Sequence, residues 1–227
     1  MRFQKRWTAS VVALILLVPV AGCAASPDKA LIDSLDAGDR SGVEAALLRK
    51  PDLEPACDPH AVCKPLARAA AMGRLDLVEL LVAAGADPNG RNAYGDTAFV
   101  VADNASLKGA SDARIREIRM FLLGHGTDPN LPNQFNATPT AGAAASGDLD
   151  MLAYCVSRGG QINPPGDSAI FPPLMAAAQF GQLPAVDWLL DHGADPRQTL
   201  QGKTARDMAV KGGHAAIVAR LDRATAP

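Results

Sequence analysis

Apolar residues at Leu75, Leu77, Val78, Leu80, Leu81 and Val82 recur at helical spacing, which predicts an amphipathic helix. The pattern stops at Gly85-Ala86-Asp87-Pro88-Asn89. Glycine supplies a left-handed helix cap, proline blocks further helix, and Asx side chains favour a turn. The same phrase returns at 118–130, more loosely at 149–163, and at 186–196. Its glycine falls at 85, 126, 159 and 193, in steps of 41, 33 and 34 residues. A second phrase precedes each copy, starting at Lys64, Thr97, Thr138, Pro172 and Thr204. A threonine cap with proline at the first helical position predicts a short, Ala-rich helix there. One such pair cannot bury its apolar face alone, so a period near 33 residues predicts a stacked array.

Together the two phrases resemble the ankyrin repeat, with its Thr-Pro-Leu-His-x-Ala start and its Gly-Ala-Asp-x-Asn stop. The resemblance covers roughly residues 30–222. It implies an all-α solenoid of stacked helix pairs joined by β-hairpin-like loops, with four full repeats between two end units. The family's histidine is missing from every copy: Ala67, Val100, Ala141, Met175 and Asp207 stand in its place. Its local hydrogen bonds go with it, so a less stable array than an idealised one is expected.

Ahead of the array, Arg2, Lys5 and Arg6 precede an apolar run from Val11 to Val18 that is too short to span a bilayer. Residues 1–22 therefore read as a signal peptide. Val20-Ala21-Gly22-Cys23 resembles a bacterial lipobox. That resemblance implies lipid on Cys23, a short tether over 23–29 and a domain over 30–227. Ala24 after the cysteine favours the periplasmic face of the outer membrane, by likeness to Gram-negative sorting signals. The whole chain has 22 basic and 24 acidic residues; without the three leader cations it is more acidic still. That balance argues against a nucleic-acid or anionic-membrane surface.

Cys57 and Cys63 flank one loop, and in an exported protein they read as a disulfide. Free thiols or a metal site with His60 are the alternatives. Cys155 reads as a buried free thiol. The third repeat carries about eight extra residues near 105–112, between its two helices. They form either a tolerated surface loop or an additional contact element.

No metalloprotease helix, nucleophile elbow, phosphate loop or dinucleotide glycine pattern is present in the sequence. The reading is a non-enzyme with no cofactor and no metal. His125 and His192 share one repeat position, where a donor meets the last helical carbonyls. In ankyrin proteins partners dock on the loop tips and on the inner face of the first helices. Carried onto this chain, those positions include Arg91, Tyr94, Asp96, Gln134, Phe135 and Phe171 at the tips, with Met72, Gln179 and Phe180 on the inner helices. Tyr94, Phe135, Phe171 and Phe180 are the aromatic anchors expected to be exposed. The expected partner is another protein, bound by a monomer. Some bacterial periplasmic ankyrin proteins that this chain resembles support catalase and oxidative-stress resistance, and some ankyrin-like lipoproteins are immunity proteins against toxic effectors.

Overall fold

A computed structural model describes residues 27–54, 64–92, 94–102, 111–166 and 168–226. The expected signal peptide, Cys23, Cys57 and Cys63 with His60, and residues 105–110 of the expected insertion lie outside the described residues. Among the described residues six helix pairs follow one another: α1 (Pro27–Asp36) with α2 (Arg40–Leu47), α3 (Pro65–Ala71) with α4 (Leu75–Ala83), α5 (Ala98–Val101) with α6 (Asp112–Gly124), α7 (Pro139–Ser146) with α8 (Leu149–Ser157), α9 (Pro173–Gln179) with α10 (Leu183–Asp191), and α11 (Ala205–Gly212) with α12 (Ala215–Thr225). Odd-numbered helices form the inner layer and even-numbered ones the outer layer. Among the described residues there is no strand, only an isolated antiparallel bridge between Leu200 and Lys203. Among the same residues no helix is long and apolar enough to cross a membrane.

Two boundaries differ from the sequence reading. Helix α1 already starts at Pro27, with Asp28 in its first turn, ahead of the domain start expected at residue 30. Proline at the start of a helix has no hydrogen bond to lose, and an acid there suits the helix dipole. Helix α6 starts at Asp112, with Ser111 as its cap, so the last residue expected in the insertion belongs to the helix. The threonine caps also divide. Thr138 accepts from the Ala141 N–H and Thr204 forms a capping box with Asp207, but Thr97 makes no cap bond.

The outer helices α4, α6, α8 and α10 end as their sequence dictates. Gly85, Gly126, Gly159 and Gly193 all have φ between 87° and 104°. A Cβ at any of the four would meet nothing within 4 Å, so backbone conformation, not space, selects glycine there. The N–H groups of Ala86, Thr127, Gly160 and Ala194 then bond back to Leu81, Leu122, Cys155 and Leu189 carbonyls at 2.9–3.1 Å, which closes the helix ends.

One continuous core runs the length of the stack, from Leu31 and Leu35 through Leu77, Leu81, Ile118, Leu122, Leu152 and Leu189 to Ile217 and Leu221. Alanines crowd α3, α7 and α9, and Ala67, Ala141 and Met175, three of the positions where the family carries histidine, are buried. Cys155 is a free, fully buried thiol, and burial pushes its pKa up to about 12.

A polar ladder stitches the turns together. Asn89 Nδ2 donates to the Gly126 carbonyl and its Oδ1 accepts from Asp128 N–H, at 2.9 and 2.8 Å. Asn130 does the same to Gly159 and Gln161, and Asn163 to Gly193 and Asp195. At the two ends the asparagine is replaced. Glu54 accepts from Asp87 N–H and pairs with Lys64, while Arg197 donates to the Thr225 carbonyl. Asn130→Ala removes both bonds of a central rung. It is expected to cost about 1–2 kcal/mol in urea unfolding; a change within about 0.5 kcal/mol, the usual effect of a surface substitution, contradicts a structural ladder.

Candidate protein-binding surface

Two successive turns are built alike. In the first, Asn92 Oδ1 accepts from the N–H groups of Tyr94 and Asp96, both at 2.9 Å. In the second, Asn133 Oδ1 accepts from Phe135 and Ala137, at 2.9 and 3.1 Å. Each turn needs a left-handed residue at its corner, filled by Gly95 at φ 78° and by Asn136 at φ 59°. An Asx side chain that ties down its own turn holds the tip in one shape. Tyr94 and Phe135 thus occupy the same place on adjacent repeats, pointing outward and 47% and 76% exposed. Arg91 braces the first tip through Nη1 to the Gly95 carbonyl, 2.7 Å away. Gln134 is exposed beside Phe135.

The inner helices supply the wall behind these tips. Met72, Ser146 and Phe180 fall at matching positions, where α3, α7 and α9 end. Phe180 is exposed, whereas Met72 and Gln179 are half-buried. Phe171 corrects an expectation: it is not an exposed anchor but packs against the core. Its N–H bonds to the Asn136 carbonyl of the preceding repeat at 2.9 Å, which pins it at the inter-repeat seam.

Asp96 is the one tip residue under electrostatic stress. Burial pushes its carboxyl above the usual carboxylate range, and Arg91 only partly offsets this. Its Oδ1 and the Asn92 Nδ2 are both buried without a partner. An unpaired buried polar group costs stability, and such groups gather at functional sites. Because the folded pKa lies above the unfolded one, the folded state binds the proton more tightly. Stability is therefore gained as pH falls into the carboxylate range and lost as pH rises through the folded value. Asp96→Asn is expected to stabilise the fold at neutral pH, and the difference should shrink on acidification. Thermal melts at several pH values check this, and a pH-independent difference contradicts it.

The outer edge carries features that the sequence pattern left unread. His125 stacks on Phe121 and His192 on Trp188, with ring centroids 3.9 and 3.7 Å apart. Each histidine places Nδ1 against the carbonyl of its aromatic partner, at 2.8 and 2.7 Å, so the helix-end role read from sequence holds. Arg158 over Tyr154 repeats the arrangement in the intervening repeat. The shared spacing of an aromatic four residues before a histidine or arginine was the available signal. Arg116 reaches across to Asp148 and Arg220 to Asp187, so ion pairs also join neighbouring outer helices. Among the described residues no group of three or more His, Cys, Asp or Glu stands close enough to hold a metal ion.

Two family profiles of ankyrin repeats match the chain, one of three copies over residues 107–199 and one of many copies over residues 66–102. The chain belongs to the ankyrin-repeat family. Ankyrin arrays are protein–protein interaction modules, and the turns and inner helices described above are this array's candidate contact surface. Among similar ankyrin-bearing proteins is human cyclin-dependent kinase 4 inhibitor B, 38% identical over 99 residues, which are 43% of this chain and 65% of the inhibitor. Human palmitoyltransferase ZDHHC13 is 32% identical over 93 residues, 41% of this chain and 15% of that protein. Alpha-latrocrustotoxin-Lt1a of Latrodectus tredecimguttatus is 27% identical over 142 residues, 62% of this chain and 9% of the toxin. The chain spans less than two thirds of the length of each of these relatives.

Proposed function

We propose that this ankyrin array is a non-catalytic binding module whose partner docks on the Tyr94 and Phe135 tips and on the wall ending at Phe180. The observation that carries the reading is the pair of equivalent turns, each locked by its own asparagine and each presenting an exposed aromatic ring. Rigid aromatic side chains at the centre of a patch are typical interface anchors. A globular partner of ordinary size would cover about 800 Å² of such a surface. The name of a similar ankyrin protein, a kinase inhibitor, fits a short array that acts by binding.

The likeness of Val20-Ala21-Gly22-Cys23 to a lipobox supports a module anchored to the periplasmic face of the outer membrane, there scaffolding or protecting a periplasmic enzyme such as one that resists oxidative stress. Neutralising a toxic effector in the periplasm is the alternative role for the same surface. Capture of partners from a periplasmic extract by residues 24–227 tests the reading. A partner held by the native chain and lost by Tyr94→Ala with Phe135→Ala supports it. A partner held equally by both moves the site off the tips.

A further inference from the structure

The polar ladder is chemically uneven. Asn89, Asn130 and Asn163 make the same pair of bonds to the next repeat, but they differ in the residue that follows. Asn130 precedes Leu131 and Asn163 precedes Pro164, whereas Asn89 precedes Gly90, the chain's one Asn-Gly pair. An asparagine loses its amide when the next backbone nitrogen attacks its side-chain carbonyl carbon. Proline has no N–H to give up, and a bulky side chain hinders the approach. Glycine has no Cβ and leaves its nitrogen open.

Packing selects the glycine. A Cβ at position 90 would lie 2.5 Å from Glu54 Oε2 and 3.1 Å from the Asp87 carbonyl oxygen. The Glu54 carboxylate is held where it is: Oε1 accepts from Asp87 N–H at 3.2 Å, and Oε2 pairs with Lys64 at 3.0 Å. The corner that closes the ladder at this end therefore requires the vulnerable pair.

The folded junction keeps the reacting groups apart. Gly90 N–H donates to the Asp87 carbonyl at 3.0 Å. The Asn89 side chain reaches away into the next repeat, with Nδ2 on the Gly126 carbonyl and Oδ1 on Asp128 N–H. Turning its carbon onto the Gly90 nitrogen breaks these bonds. Reaction thus requires local opening of the junction between the α3–α4 and α5–α6 pairs.

We propose that Asn89 is a deamidation site, protected while its rung is closed and exposed when this junction opens. In the open form the Gly90 nitrogen bonds to Asn89 Cγ and the Cγ–Nδ2 bond breaks. The Gly90 proton passes through water to the departing nitrogen, which leaves as ammonia. Water then opens the cyclic imide to aspartate or isoaspartate. The product sets a carboxylate oxygen against the Gly126 carbonyl, where an N–H donated before. The rung is lost for good, so the array records its own opening as a covalent change. Asn89 also leads into the turn that presents Tyr94, and the loss reaches that tip. This last consequence rests on the binding reading above; the reaction does not.

Peptide mapping of the full chain by mass spectrometry tests it, after timed incubation at mildly alkaline pH, folded and in urea. In urea, Asn89 is expected to convert faster than Asn130 and Asn163. In the folded chain its conversion is expected to slow by about tenfold or more, because only the open fraction reacts. Glu54→Ala frees the Asp87 N–H and removes the Lys64 pair. It should speed the folded-state reaction and leave the rate in urea unchanged. Glu54→Gln serves the same purpose with its bulk kept, and circular dichroism checks that each variant folds. Asn89→Asp should lower the urea midpoint as the aged chain does. Equal rates at Asn89 in the folded and unfolded chain overturn the protection. Conversion at Asn130 as fast as at Asn89 in urea overturns the choice of site. Folded-state rates that neither Glu54 variant raises overturn the role of the corner, and an Asn89→Asp chain as stable as the native one overturns the loss of the rung. No partner enters this measurement, so its failure and failure of the tip surface are read separately.

Discussion

Leu152→Ala is expected to lower the stability of the array by about 2–5 kcal/mol, the range for truncating a fully buried leucine. Leu152 sits in α8 with no exposed surface, in the single core that runs through every repeat. Truncation removes apolar contacts and leaves a cavity that the neighbouring helices fill only partly. In a stacked array each unit is held mainly by its neighbours. A weakened middle repeat therefore uncouples the units on either side, and the urea transition should broaden as well as shift. Phe135→Ala is the matched control, since a ring 76% exposed contributes little to the core. It should move the midpoint by less than about 0.5 kcal/mol. Equal effects from the two substitutions contradict the assignment of one residue to the core and the other to the surface.

The second large effect is on binding. Tyr94→Ala with Phe135→Ala is expected to weaken the partner complex by about 2–4 kcal/mol, roughly 30-fold to 1000-fold in Kd, because interface energy concentrates in a few aromatic anchors. The turns themselves should survive. Their shape comes from Asn92 and Asn133 accepting backbone N–H bonds, which truncation at Cβ leaves in place. Titration calorimetry with the captured partner, beside a thermal melt of the free variant, separates the two quantities. Weaker binding with an unchanged melt supports the tips as anchors. Weaker binding that tracks a lowered melt shows instead that the rings hold the fold.

The repeated helices were legible in the chain because their signal is periodic and local. Apolar spacing, a capping glycine and a following Asp-Pro-Asn all lie within one helix and its turn. The asparagine ladder was not legible, for the opposite reason. Asn89, Asn130 and Asn163 read locally as turn residues, but their partners stand in the next repeat, 29 to 39 residues away. Phe171 failed similarly. Its place just before a helix start matches the loop tips, and only the stack shows that its N–H faces Asn136 and its ring faces the core. The tips themselves were partly legible: Tyr94 and Phe135 stood out as aromatics in polar turns, while the unpaired carboxylate oxygen of Asp96 depends on burial that no local pattern reports.

The measurement that tests the account most directly is photo-crosslinking in the native cell. A photoreactive phenylalanine analogue replaces Phe135 in one chain and Met120 in another. Both positions are exposed, the first at a tip and the second on the outer helix α6. The account predicts a discrete protein adduct from position 135 and none from position 120. An adduct from position 120 alone, or from both equally, contradicts it and moves the partner to the outer face of the array.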